Sequence, residues 1–163
     1  MVDTNENAAN KRGAKIDEAD TLSEVSILSE VNDSDTVLNQ SLKIQALAAQ
    51  HGFDWPDVAP VFDKVIEELN ELKYELELLA DESPKSNQRQ LAVEAEFGDL
   101  LFSCLNLSRF IGADPQTALQ RTNNKFISRF GFIERTLKEQ GEVMEQVSLA
   151  RLDQLWDQAK KNE

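Results

Sequence analysis

The fold is decided by VAPVFDKVIEELNELKYELELL, residues 58–79. Apolar side chains recur in this stretch at steps of three and four, at Val58, Phe62, Val65, Leu69, Leu72, Leu76 and Leu79. This spacing predicts an amphipathic helix, because residues so placed share one face. We expect the helix to open near Asp54, which would be its N-cap, with Pro56 in the first turn.

The flanking segments also predict helices. Upstream, residues 41–50 predict a helix that ends at His51-Gly52. Downstream, a polar break at residues 81–88 precedes a long helix at about 89–111. The second half of that helix, LLFSCLNLSRFI, is apolar on nearly every side, which predicts a central place in a bundle.

Two more helices follow. Asp114 caps a long helix that has Pro115 at its first position and ends before Gly141, and Ser148 caps a short final helix. No convincing alternating strand appears anywhere in the sequence. The sequence therefore predicts an all-α helical bundle.

Composition restricts the class of protein. The chain has 163 residues and a formal net charge of −13, which suits one domain and argues against binding to nucleic acid or anionic membranes. No apolar run reaches the roughly 20 residues of a membrane span, and no secretory signal is evident. We expect a cytoplasmic protein whose single cysteine, Cys104, is a buried hydrophobe.

Residues 1–38 predict a flexible, disordered acidic leader before a helical domain at 39–163.

Two acidic motifs lie on consecutive predicted helices. Glu68 and Glu71 are three residues apart on the first, and Glu96 and Asp99 are three apart on the second. Each pair overhangs one strip of helix surface, and a short loop favours antiparallel neighbours, so the four carboxylates are expected to converge. Two such charges about 5 Å apart repel by roughly 3 kcal/mol at an effective dielectric near 20. A cation would hold them together, and oxygen ligands alone favour Mg²⁺ or Mn²⁺. Glu68 is expected at the edge of the buried stripe, about 70° from its centre.

Several other features are weaker. Gly98 lies inside the second motif, where a mid-helix glycine indicates either a close approach to the backbone or tight helix packing. Lys125 and Arg129 are four apart and could hold phosphates or simply pair with the acidic excess. Trp156 and Lys160 repeat this spacing on the last helix, where the tryptophan could stack on a base or belong to the core.

Together these motifs resemble the MazG nucleoside triphosphate pyrophosphohydrolases. The resemblance rests on Glu67-Glu68-Leu69-Asn70-Glu71 and on Glu96-Phe97-Gly98-Asp99, with Gly52-Phe53-Asp54-Trp55-Pro56 upstream and Asn123-Asn124-Lys125-Phe126 downstream. It continues through Arg129-Phe130 to Trp156 and Lys160, and covers roughly residues 40–161. It implies an all-α, dimeric enzyme that hydrolyses nucleoside triphosphates to the monophosphate and pyrophosphate.

The resemblance also implies roles for residues. Glu68, Glu71, Glu96 and Asp99 would be the Mg²⁺ ligands, and Glu67 would complete the first motif, as a base, a water-orienting group or a support for a ligand. Lys125 and Arg129 would contact the triphosphate, with Trp156 and Lys160 close to the nucleotide. The chain departs from the family pattern at Ala92 and Ala95, where charged residues are common.

The motifs have three alternative interpretations. A relative specific for one nucleotide, such as a dUTP/dCTP or phosphoribosyl-ATP pyrophosphatase, would use the same scaffold. A non-catalytic acidic interaction protein would leave the carboxylates solvated. A di-iron carboxylate bundle is rejected, because it needs Glu-x-x-His motifs and His51 is the single histidine.

Overall fold

The computed structural model describes residues 26–32, 34–81 and 86–162. Its α-helices are α1 (Val37–Gln50), α2 (Ala59–Asp81), α3 (Asn87–Phe110), α4 (Pro115–Gln140) and α5 (Leu149–Lys161), with 3₁₀ turns at Ile27–Glu30 and Met144–Gln146. The described residues contain no strand, so the all-α prediction is confirmed for them. Most of the predicted acidic leader, residues 1–25 and 33, lies outside the described residues.

Side-chain caps set where most of the helices begin. Asp114 Oδ1 accepts a hydrogen bond from the Thr117 N–H at 2.7 Å, as its position before Pro115 predicted. That hydrogen-bonding holds the pKa of Asp114 below its usual value. At α1, Thr36 Oγ1 accepts from the Asn39 N–H at 3.3 Å, so this helix begins at Val37, four residues before the predicted start at residue 41.

The predicted cap of α2 is wrong. Asp54 does not cap the helix; it forms a two-pronged ion pair with Arg109 at the end of α3, with N–O distances of 2.9 and 2.5 Å. Asp57 accepts instead from the N–H of Ala59, the first residue of α2, at 2.9 Å. Asp57 follows Asp54 by three residues and is close enough to α2 to reach its first N–H. Asp54 pairs instead with Arg109.

Helix α2 packs lengthwise against α3. Glu75 pairs with Arg89 near the start of α3, whereas Glu68 lies beside Glu96 and Asp99 farther along, so the two helices run antiparallel. This confirms the arrangement expected from the short connection.

The apolar stripe of α2 is only partly covered. Val61, Glu68 and Leu79 are buried, whereas Phe62, Leu69 and Leu76 are each nearly half exposed. The packed face is therefore one edge of the predicted stripe rather than its centre. As a result Glu68, expected at the edge of the buried face, lies inside it with 4% of its surface exposed.

The second half of α3 is less enclosed than its sequence predicted. Its main neighbours are α1 and α2, and Gln45 of α1 donates a hydrogen bond to the Phe102 carbonyl at 2.8 Å. Even so, Leu101 and Ile111 remain 50% and 59% exposed. Cys104 is also exposed, so its expected burial is wrong for this chain by itself, because helices cover only part of the α3 surface.

Helices α4 and α5 pack together around an apolar cluster. Ile133 and Leu137 of α4 pack with Leu155 of α5, and all three are almost fully buried. The first half of α4 extends beyond this cluster and leaves Phe126 and Ile127 more than half exposed. None of the described helices is long and apolar enough to cross a membrane.

Candidate metal centre

Carboxylates from α2 and α3 meet at the interface between these helices. Glu68 from α2 and Glu96 and Asp99 from α3 each offer an oxygen within 4.8 Å of the others. Glu68 also forms a second group of this size with Glu67 and Glu71 on its own helix. We call these five residues the acidic cluster. The five acidic residues singled out from the sequence therefore form two overlapping groups that share Glu68.

The members of the acidic cluster differ in exposure. Glu68 is buried, Glu96 is half-buried, and Glu67, Glu71 and Asp99 are exposed. The cluster thus has one carboxylate at its base, fixed by packing between the helices, and others around an open rim. A ligand could enter from solvent and still reach the buried oxygen.

The acidic cluster is electrostatically strained. Burial raises the pKa of Glu96, and the negative charges of Glu71, Asp99, Glu68 and Glu75 raise it further. Like charges oppose ionisation of one another, and a bound divalent cation would reverse this. The donor set consists of oxygens, with no histidine or cysteine among them, and fits a hard cation such as Mg²⁺ or Mn²⁺.

Sequence reasoning missed one basic residue at this site. The Lys64 ammonium lies 2.9 Å from Glu67 Oε1 and 2.6 Å from Glu68 Oε1. Hydrogen bonds to Glu68 and then to Glu67 raise the pKa of Lys64 above its usual value. The signal was present in the sequence, since a lysine three and four residues before two glutamates lies on their side of the helix.

The basic and aromatic candidates form a second group on α4 and α5. The Arg129 guanidinium carbon lies 5.3 Å from the centre of the Trp156 ring, and Phe126 lies 5.1 Å from the same ring. Lys160 pairs with Asp157 at 3.5 Å, and Lys125 is exposed. The structure thus brings Arg129 and Trp156 into contact, and adds Phe126 to the same group.

The two groups belong to different pairs of helices. The acidic cluster lies between α2 and α3, and the basic and aromatic group lies on α4 and α5. In the part of the chain that the structure describes, no hydrogen bond or ion pair joins Lys125, Trp156 or Lys160 to the acidic cluster.

Known proteins resemble this chain over most of its length. It is 40% identical over 133 residues to the nucleoside triphosphate pyrophosphohydrolase/pyrophosphatase MazG of Thermotoga maritima, a match that covers 82% of this chain and 48% of the relative. It is 38% identical over 138 residues to the nucleoside triphosphate pyrophosphohydrolase of Escherichia coli K12, over 85% of this chain and 50% of the relative. The chain is a homologue of the MazG nucleoside triphosphate pyrophosphohydrolases. It spans about half the length of these two curated relatives. No family model matches it.

Two alanines that the sequence analysis noted as departures from the family pattern lie near the acidic cluster of this MazG homologue. Ala92 and Ala95 lie on α3 just before Glu96. One turn before Ala92, the Arg89 guanidinium binds Glu75 at 2.7 Å. Arg89 therefore places a cation at this end of the α2–α3 interface.

Proposed function

We propose that the chain hydrolyses nucleoside triphosphates, ordinary or damaged, to the nucleoside monophosphate and pyrophosphate, with Mg²⁺ as cofactor and Mn²⁺ as a substitute. The observation that carries the proposal is the convergence of Glu68, Glu96 and Asp99 within 4.8 Å across the α2–α3 interface. A buried carboxylate beside two others is costly unless a cation compensates it. Relatives named for this activity support the substrate class.

In this reaction an oxygen of water bonds to the α-phosphorus while the bond from that phosphorus to the bridging oxygen breaks, and pyrophosphate leaves. Glu68, Glu71, Glu96 and Asp99 would hold the metal, which when bound supplies positive charge to the phosphates and lowers the pKa of water. Glu68 would fix the position of the ion, because packing restrains its side chain. Glu67, exposed at the rim, would act as a base or orient the water.

The basic and aromatic group would bind the rest of the substrate. Lys125 and Arg129 would meet the phosphate charge left over by the metal, the lysine as a point charge and the arginine through its planar fork. Trp156 and Lys160 would lie close to the nucleotide. A chain of net charge −13 repels free nucleotides at long range, so these local cations matter more than the overall charge.

We also propose that the molecule works as a homodimer. Among the described residues, 20 large hydrophobic side chains are exposed, whereas eight hydrophobic residues are buried. Exposed apolar surface of this extent is typical of a face that a partner covers. The predicted cytoplasmic location and the absence of nucleic-acid and membrane partners remain part of the proposal.

The test is pyrophosphate release from a panel of ribonucleoside and deoxyribonucleoside triphosphates, with Mg²⁺ and with a chelator. We expect metal-dependent release that falls at least 100-fold in Glu68→Gln and in Asp99→Asn. Glu77→Gln is the matched control, because it makes the same charge change at an exposed site of α2. All variants should keep wild-type helix content by circular dichroism.

The alternatives give different outcomes. Release from one nucleotide alone would assign the chain to a nucleotide-specific relative on the same scaffold. No release from any nucleotide, with the folded state intact, would favour the non-catalytic interaction protein.

A further inference from the structure

The Lys64 ammonium contacts the acidic cluster directly. Its ammonium contacts Glu67 Oε1 at 2.9 Å and Glu68 Oε1 at 2.6 Å. The Lys64 side chain is 40% exposed and that of Glu68 is 5% exposed. The lysine therefore reaches from the solvent side down to the buried carboxylate.

The contact places a positive charge on an oxygen that a metal would need. Glu68 belongs to both groups of carboxylates that could hold an ion, so any ion bound there lies next to it. A buried carboxylate must be paired, either with an ion or with a basic side chain. Glu68 Oε1 cannot be fully shared by an ammonium at 2.6 Å and a divalent cation, since the two positive charges repel.

We propose that Lys64 is an internal counterion that neutralises Glu68 in the metal-free protein and competes with the divalent cation for that carboxylate. The inference rests on the proposed function of the acidic cluster as a metal site. Metal entry then requires the ammonium to leave Glu68. Glu67, whose side chain is 54% exposed and already lies 2.9 Å from the ammonium, keeps the displaced lysine paired. The buried carboxylate is thus never left without a cation.

This assignment makes Lys64 a competing counterion and gives Glu67 a role distinct from metal ligation. Divalent-cation affinity is set below what the carboxylates alone would give, because binding must displace a charge that is already present. The metal-free protein is stabilised by the same contact.

The experiment measures binding of Mn²⁺ alone, without nucleotide, to the full chain by isothermal titration calorimetry at constant pH. Lys64→Met should bind Mn²⁺ about tenfold more tightly than wild type, because a nearby positive charge is removed. In chelator, its melting temperature should fall by about 5 °C, since Glu68 loses its partner. Lys73→Met, the same change at an exposed site of α2, should alter neither quantity.

Two further variants separate competition from simple structural support. Lys64→Arg, which keeps the charge, should restore wild-type stability in chelator and most of the wild-type Mn²⁺ affinity. Glu68→Gln should bind Mn²⁺ much more weakly, and adding Lys64→Met to it should cost no further stability in chelator.

Other outcomes would overturn the inference. Weaker or unchanged Mn²⁺ binding by Lys64→Met would mean that the lysine orients Glu68 or has no influence on it. If wild type and Glu68→Gln both fail to bind Mn²⁺, that result contradicts the metal site and the proposed function. In that case a loss of stability in Lys64→Met would show that Lys64 and Glu68 form an ordinary ion pair, and competition with a metal would be refuted.

Discussion

Asp54 and Arg109 connect the loop before α2 to the end of α3. The hydrogen bonds from Arg109 hold the pKa of Asp54 below its usual value. Because the folded-state pKa is the lower one, the pair stabilises the protein above the usual aspartate pKa, and this contribution is lost as the pH falls through the folded-state pKa.

We expect Asp54→Asn to lower the free energy of unfolding by about 1 kcal/mol at pH 7. The difference from wild type should shrink at an acidic pH below the ordinary aspartate pKa, because Asp54 is then increasingly protonated in spite of Arg109. Urea unfolding at the two pH values measures both effects. Asp63→Asn, at an exposed position of α2, is the control. A difference that does not change with pH would show that the ion pair is not its source.

Lys125 tests the proposed contact with the phosphates. It is exposed on α4 and its removal disturbs no described packing. We expect Lys125→Ala to raise KM about tenfold with little change in kcat, as for loss of a binding contact that ground state and transition state share. Steady-state kinetics measure the split. Lys138→Ala, in the last turn of the same helix, should have wild-type constants, and equal effects of the two variants would argue for general charge instead.

At the scale of helices, two glycines should respond to alanine in opposite ways. Gly98 has helical backbone in α3, and a methyl group added there would meet nothing within 4 Å. Neither a close approach nor tight packing is therefore seen at Gly98 within one copy of the chain. Gly141 ends α4 with a φ of 70°, in the left-handed region.

We expect Gly98→Ala to raise the free energy of unfolding by about 0.5–1 kcal/mol, because alanine loses less backbone entropy in a helix. Gly141→Ala should lower it by about 1–2 kcal/mol, because a side chain is strained at positive φ. Chemical denaturation of the two variants in parallel checks both signs. A destabilising Gly98→Ala would point to a second copy of the chain that packs on this surface of α3.

The helices also show which structural features the sequence patterns predicted correctly. Periodicity and capping residues predicted the existence and order of the long helices, because both signals are local. The start of α1 was missed because Thr36 caps it through Asn39. The predicted cap at Asp54 was wrong because Arg109, 55 residues away, binds that carboxylate in the folded chain.

At the scale of the whole molecule, the exposed apolar surface should be an interface. Leu119 and Ile127 of α4 are 56% and 67% exposed and lie before the buried α4–α5 cluster begins at Ile133. We expect the double variant Leu119→Glu/Ile127→Glu to shift the protein from dimer to monomer while helix content is kept. Size-exclusion chromatography with light scattering measures the mass.

Ser128→Glu is the matched control, because it adds a negative charge at an exposed position on the other side of α4 from Phe126. It should leave the dimer intact. A wild-type chain that is monomeric at micromolar concentration would contradict the proposed homodimer directly.

By itself the sequence determined the helices, their order and the acidic residues that meet between α2 and α3. Those features follow from side-chain periodicity and from the short connection between two helices, which are local properties. Only the tertiary structure decided that Glu68 lies inside the packed face and that Lys64 pairs with it. It also decided that Arg129 lies against Trp156. Burial and pairing depend on which edge of each apolar stripe another helix covers. Side-chain periodicity specifies which residues form the apolar stripe of a helix, and helix packing decides which edge of that stripe is buried.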